Sequence, residues 1–437
     1  MDSALMKKKL CEAVDSFKSE LKNFADDIAA HAELGFFENR TSDKLAEAFQ
    51  GLGLDVKRGL ARTGLRADIK GKTPGPCVAL IGELAGIICR QHPLADAETG
   101  ASHSCGHNLQ ISALYAAAYA LLKSGVMDEL AGSVALLGLP AEEFIEITRR
   151  SEMREKGDLV YLGGKQEFIR LGVFDDIDMS MMVHAGDNKQ GKYFEVPAGG
   201  NGFRIFMLRY EGKQAHAAAA PHNGVNALYA AVAGINAVNA LRETFRDEDH
   251  IRVHYIITKG GDSVNCVPDD VRLEGYVRAS TSEKIDETFD KVIRAFKAGG
   301  EALGAKCHVT SIAGYMPLTA SAELNGIFAD NAEALVGKEN VKRDTFFPAS
   351  TDLGDVAHIV PSIQPAGGGI TGVYHSKEFC VEDFDAAVLL PAKAMLMSIV
   401  DLLSDDASRA KGLISRFKPV YTKEEYLAVM DRKFFSD

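Results

Sequence analysis

Two short strings carry reactive side chains at spacings that suit metal chemistry: Cys105-Gly106-His107 and Glu142-Glu143. The first sets a thiol and an imidazole two residues apart around a glycine, whose free backbone lets both point at one centre. A buried cysteine beside a loop histidine would produce the same string, so the pair decides nothing alone. The second closes Pro140-Ala141-Glu142-Glu143. Adjacent carboxylates at the end of an apolar run repel each other and stay ionised only with solvent or a cation nearby. Neighbouring side chains in extended chain diverge, so one glutamate can coordinate while the other faces a water as general base. A solvated pair at the start of a helix is the plainer alternative. His184 follows a methionine-rich apolar run, and His375 ends a glycine-rich string that begins at Gly367. A satisfied core histidine and a flexible surface loop are the ordinary explanations of these two. The coincidence is what decides, because four separate segments each contribute a ligand type compatible with zinc or manganese.

The elements that must position these residues are legible from hydrophobic periodicity. Cys77 to Gly82 and Ser133 to Leu139 read as strands apolar on both faces, as does Met179 to Val183, which suits a sheet covered by helices on both sides. Glu142 and Glu143 follow the second of these strands and His184 closes the third, at the carboxyl ends where ligand sites gather. Ile111, Leu114, Tyr115, Ala118 and Leu122 recur at helical spacing, with Asn108 as N-cap and Lys123-Ser124-Gly125 as stop. This places Cys105 and His107 on the loop leading into that helix. Residues 5 to 50 read as helices interrupted near His31-Ala32-Glu33-Leu34-Gly35, and Phe384 to Leu403 as one long helix. Between them the pattern changes: strands at Phe203–Tyr210, His254–Thr258, Val271–Val277 and Cys307–Ile312, helices at Asn223–Leu241 and Ile285–Phe296. Strand-helix-strand-strand-helix-strand is the split ferredoxin-like order. The expected fold is therefore an α/β catalytic domain of residues 1–197 and 316–437, with a mixed sheet, interrupted by an α+β domain of residues 198–315.

Bulk properties narrow the function classes. A chain of 437 residues predicts two or three domains. A net charge of -12 argues against nucleic acid as a partner, and 46% hydrophobic with 25% charged residues is ordinary for a globular protein. The segment Met1 to Lys9 has basic residues with no apolar run behind it, so no export signal is expected. No run reaches the roughly 18 unbroken apolar residues of a membrane span. Seven cysteines, odd in number and scattered, suit reduced thiols and a cytoplasmic location.

With these residues in view, the sequence resembles the dinuclear metallo-aminoacylase and carboxypeptidase family of clan MH. The likeness is strongest to the branch that hydrolyses aminobenzoyl-glutamate, indole-acetyl-amino acids and hippurate. The matching strings run through nearly the whole chain: His31-Ala32-Glu33-Leu34-Gly35-Phe36, Cys105-Gly106-His107-Asn108, Pro140-Ala141-Glu142-Glu143, Gly212-Lys213-Gln214-Ala215-His216-Ala217-Ala218, Gly261 through Pro268, Ser350 through Val356, and His375-Ser376. The resemblance implies a zinc-peptidase-like catalytic domain and an inserted dimerisation or lid domain. It implies that Cys105 bridges two metals, that His107 and His184 complete one site, and that Glu143 and His375 complete the other. Two such ions about 4 Å apart activate water and polarise a carbonyl. Glu142 is then the general base, and His216 reaches across a dimer interface to stabilise the oxyanion. Asn265 and Arg278 match positions near the substrate carboxylate, where an arginine fork suits the task.

Two departures bear on substrate and metal. Relatives place an aspartate after the strand near residue 81 to orient a metal-bound histidine, and here Ala85 stands in its place. Loss of such a partner weakens metal affinity or activity by about ten- to a hundredfold, so either Glu83 compensates or one site is weak. Residues 144–162 are inserted after the glutamate pair; Arg149 or Arg150 could there meet an acidic substrate, or form a solvated charged hairpin. The expected activity is hydrolysis of an N-acyl or N-aroyl amino acid in a homodimer, with one or two divalent ions, zinc or manganese, cobalt or nickel being acceptable. The alternatives are removal of an amino group from an activated aromatic acid, as with 5-nitroanthranilate, and a non-catalytic binding protein that keeps the fold.

Overall fold

The unbroken apolar runs become the central strands of the first unit. Val78, Ala79, Leu80 and Ile81 are all buried, so Thr73–Glu83 shows both faces to helices rather than one to water. It lies parallel to Ala131–Leu139 on one side and to Met179–Met181 on the other, with Val78 opposite both Val134 and Met179. These carboxyl ends therefore share one edge of the sheet, and Glu83, the 140–143 turn and the 182–184 segment emerge together there. The described residues give this sheet six strands, ordered Val56–Leu60, Gly64–Lys70, Ala131–Leu139, Thr73–Glu83, Met179–Met181, Ser362–Ile363. The helices His107–Lys123 and Leu390–Arg416 pack against it. The second, with the turn before it, has the length and apolarity of a membrane span, yet 83% of its most apolar stretch is buried inside the protein, as befits a core helix.

The computed structural model describes residues 1–187 and 193–437. They divide into one unit of Met1–Gly199, Thr319–Phe346 and Asp355–Lys423, and another of Gly200–Leu318, Phe347–Gly354 and Glu424–Asp437. In the second unit the antiparallel strands run Arg252–Lys259, Asp270–Ala279, Gly202–Glu211, Lys306–Ala313, and the helices Ala227–Leu241 and Ser282–Ala302 pack against them. Ile285, Phe289, Val292 and Phe296 recur along the longer helix and are buried, and Thr281 caps it by accepting the Lys284 N–H. Where the helices cross, a Cβ on Gly299 would lie 2.2 Å from the Gly234 nitrogen, so the contact admits no side chain there.

Several sequence expectations are corrected. The sequence pattern assigns 316–437 whole to the catalytic domain, but 347–354 and 424–437 belong with the second unit. Phe435–Ser436 pairs with the Lys306–Ala313 strand, and Asn201 holds residues 347 and 348 through backbone and amide hydrogen bonds. Neither tie has a signature in local periodicity. His107 is the first residue of its helix rather than part of the loop before it, and the cap is Gly106, not Asn108, whose amide instead donates to the Ala25 carbonyl at 3.3 Å. His184 does not close the apolar strand; that strand stops at Met181, and His184 opens a separate one paired in parallel with Ala366. The glycine-rich stretch is a strand over Ala366–Thr371, not a loose loop, and the 144–162 insertion contains a helix, Ile147–Glu155.

Candidate metal centre

The ligand atoms are brought together by backbone peculiarities. Gly106 has φ of 86°, and a Cβ there would stand 2.7 Å from that of Ala185, so the turn that swings Cys105 and His107 to the same side requires glycine. Ala141 takes the left-handed region with φ of 53°, uncommon for a residue with a side chain. It is held there by Glu38, whose carboxylate accepts the Ala141 N–H at 2.7 Å and the Thr63 hydroxyl at 2.6 Å. Gly35 makes room: a Cβ on it would fall 2.8 Å from the Ala141 Cα. The segment from His31 to Glu38 is thus a buttress for the turn that aims Glu142 and Glu143. His375 also has a positive φ of 59°, and its N–H donates to the Ser104 carbonyl at 2.9 Å, tying the glycine-rich strand's end to the cysteine loop.

The result is three overlapping triads whose ligand atoms lie within 4.8 Å of one another: Cys105, His107 and His184; Cys105, Glu143 and His375; Glu83, His107 and Glu142. All five residues expected to hold metal come together, and Cys105 is common to two triads. His107 Nδ1 lies 2.6 Å from the Ala85 carbonyl, which only accepts, so Nδ1 carries the proton and Nε2 presents its lone pair. The same holds for His184, with Nδ1 2.8 Å from the Ala185 carbonyl and Nε2 3.4 Å from Cys105 Sγ. His375 Nε2 is 3.3 Å from Glu143 Oε1. Ala85 thus removes a carboxylate but keeps an acceptor, because its own backbone oxygen orients His107.

The electrostatics call for a cation. Burial pushes the Cys105 thiol well above its usual range, and the Glu143, Glu142 and Glu83 carboxylates push it further. Burial would raise Glu143, but the hydrogen bond and charge of His375 prevail and bring it down to about 2, while His375 is raised by the same contact against its own desolvation. Burial lowers His184, with His107 adding to the effect. Among the described residues, the buried ligand atoms Glu83 Oε2 and His107 Nε2 find no hydrogen-bond partner. Lone pairs left bare in a dry pocket, next to a thiol and imidazoles, fit a divalent ion.

The remaining candidates lie elsewhere. His216 and Asn265 are exposed in the second unit, on neighbouring turns of a short ladder in which Ala217 N–H donates to the Asn265 carbonyl at 2.9 Å. Arg278, on a strand of that unit, donates to Ser350 Oγ at 2.8 Å and meets His254 Nε2 at 3.1 Å. Arg149 is half exposed, ion-paired to Glu146 at 2.9 Å and stacked on Phe37 at 3.7 Å. Arg150 is buried and donates to the Leu162 carbonyl at 2.9 Å, which fastens the insertion to itself. Sequence reasoning did not find Glu38 or Lys165, whose ammonium contacts Glu83 Oε1 at 2.6 Å.

Comparison with known proteins accords with this geometry. Residues 200–302 match the M20 peptidase dimerisation domain. The chain is 27% identical to the mouse (Mus musculus) Xaa-Arg dipeptidase over 97% of its own length and 94% of that protein's. It is 31% identical to one of the p-aminobenzoyl-glutamate hydrolase subunits of Escherichia coli over 65% of its length and 56% of that protein's. Through that domain and these relatives the chain is similar to peptidases and amidohydrolases of the M20 type. A dinuclear metal-binding M20 peptidase from Bacillus subtilis shares the fold, with a TM-score of 0.67 at 20% identity over 89% of this chain and 99% of that one. The chain is accordingly a metal-dependent hydrolase of C–N bonds with a mixed α/β fold.

Proposed function

We propose that this enzyme hydrolyses the amide of an N-acyl or N-aroyl amino acid, with Glu142 as general base beside metal held by Cys105, His107, Glu143, His184 and His375. The observation that carries the reading is the unequal environment of the two adjacent glutamates. Their side chains are almost equally shielded, 9% and 12% exposed, but their partners differ: Glu143 lies against Cys105 and His375, with Oε1 3.3 Å from His375 Nε2, whereas Glu142 sets Oε2 3.7 Å from His107 Nε2. The first is placed as a ligand between a thiol and an imidazole, and the second stands beside the other half of the centre, where a bound water would lie. When bound, one or two divalent ions such as zinc or manganese supply Lewis acidity that acidifies water and polarises a carbonyl. Glu142 then removes the water proton and passes it to the departing amine, the double duty of a general base. Arg278 and Asn265 recognise the substrate carboxylate, and Arg149 offers a further cation at the insertion.

The dimerisation domain supports a homodimer, in which His216 of the partner subunit would stabilise the developing oxyanion. Exposed Tyr229, Ile256 and Ile257 on the second unit favour such an interface. All seven cysteines are free, which favours a cytoplasmic location. The test is a panel of N-acyl amino acids and aromatic amino acids assayed on metal-loaded protein, following amino acid and ammonia together. Amino acid release carries the proposal, whereas ammonia release from an aromatic acid alone would replace it with the deamination reading.

A further inference from the structure

Glu83 stands beside the metal centre, and its geometry gives it a larger part than that of a neighbour. The carboxylate is fully buried at the carboxyl end of a central strand, and the Gln110 side chain accepts the Glu83 N–H at 3.2 Å, so its position is fixed. Its two oxygens are treated differently. Oε1 takes the Lys165 ammonium at 2.6 Å, between side chains that are 1% and 0% exposed. Among the described residues Oε2 has no hydrogen-bond partner, and it points at His107 Nε2, 3.3 Å away, which also has none there. The Ala85 carbonyl holds a proton on His107 Nδ1, so in the neutral ring that binds metal two lone pairs face each other across that gap. A carboxylate oxygen and an imidazole nitrogen so placed repel unless a cation lies between them. The spacing is also the right one, since donors bound at about 2.0–2.1 Å in a tetrahedral set stand about 3.3 Å apart.

We propose that Glu83 is itself a ligand of the ion held by His107, and that Lys165 is the fixed countercharge that lets the centre take on this extra carboxylate. The proposal rests on the metal centre assigned under the proposed function and adds an oxygen donor to it. The Lys165 ion pair accounts for Oε1; Oε2, aimed at His107 Nε2, calls for a positive charge between them, which a bound metal ion supplies without a second proton on the ring. Lys165 cancels the charge that Glu83 brings, so the ligand set gains a hard donor with no added net charge. An oxygen-richer set of this kind tolerates manganese alongside zinc.

The test is equilibrium dialysis of the metal-stripped full chain against Zn(II) and, separately, Mn(II), reading affinity and ions per chain. It compares wild type, Cys105→Ser, Glu83→Gln and the double variant Glu83→Gln/Lys165→Met, with thermal melting of each stripped protein alongside. Glu83→Gln should weaken binding of at least one ion by about tenfold or more, or lower the number bound. Because that change strands a buried ammonium, the double variant is the decisive one: it restores charge balance, should melt as cooperatively as wild type, and should still bind weakly. Wild-type affinity in the double variant, with Cys105→Ser impaired, would overturn the role of Glu83 and leave the centre standing. Failure of wild type to bind either ion would overturn the centre and this inference together.

Discussion

In the first unit Glu83, Cys105, His107 and Glu143 are buried, and each is fixed by a backbone hydrogen bond, a positive φ or a charged neighbour. In the second, His216 and Asn265 stand exposed on a short ladder, and Arg278 leans on Ser350 and His254 from the face of a regular sheet. The difference follows from what each set must do. Ligands that hold a cation gain from being dry and rigid, because electrostatic attraction strengthens as water is excluded. Residues that meet a substrate or a second copy of the chain need to be reachable, and regular secondary structure is enough to present them. Damage to the first unit should therefore appear in metal binding, and damage to the second in catalysis with metal binding intact.

The largest expected effect is at Glu142, the one glutamate of the pair that does not belong wholly to either class. Glu142→Ala should lower kcat by about 10²–10⁴-fold while ions per chain, measured by atomic absorption, stay unchanged. Unchanged turnover would remove Glu142 as base. His216→Ala comes next, with a fall of about 10²–10³-fold in kcat and no change in metal content. Mixed dimers of His216→Ala and Glu142→Ala chains should recover part of the activity if sites are shared across the dimer, and no recovery in verified mixed dimers would count against sharing. Arg278→Ala should raise KM about tenfold or more for substrates with a free carboxylate and leave their amides unaffected, as expected for one charged hydrogen bond. Equal effects on both would make Arg278 structural.

The smallest effect sharpens the comparison from the side of the fold. Burial raises the Glu38 carboxyl from 4.5 to about 7, with the Thr63 and Ala141 hydrogen bonds opposing the rise. A folded value above the unfolded one means that the stability this group contributes is complete below about pH 4.5 and lost as pH rises through about 7. Glu38→Gln keeps the shape and an acceptor for Ala141 but cannot ionise. Denaturant unfolding at pH 5 and pH 8 should show a stability difference smaller in the variant by up to about 3 kcal/mol. An unaltered difference would mean that Glu38 titrates alike in the folded and unfolded chain.

How far the sequence could be read depended on whether a role belongs to a side chain or to the backbone around it. Cys105, His107, Glu142, Glu143, His184 and His375 announce themselves by residue type, and the alternation of strands and helices in the middle of the chain suffices for its topology. The partners that position them do not. The Ala85 carbonyl does the work expected of a missing aspartate, and no side chain records that. Glu38 acts 103 residues away on Ala141, and Lys165 acts 82 residues away on Glu83, so neither is visible in local periodicity. Asn108 is a good cap by type, but the glycine before His107 takes that place because only it fits against Ala185. The pairing of Phe435–Ser436 with a distant strand likewise has no local signal.

The central claim is that remote segments converge on a cation among Cys105, His107 and His184, with Glu143 and His375 beside them. The direct measurement is anomalous X-ray scattering at the zinc and manganese absorption edges from crystals grown with each metal. The expected result is a peak within bonding distance of Cys105 Sγ and of His107 and His184 Nε2. A metal peak found only away from these atoms, with the five side chains ordered around water instead, would contradict it.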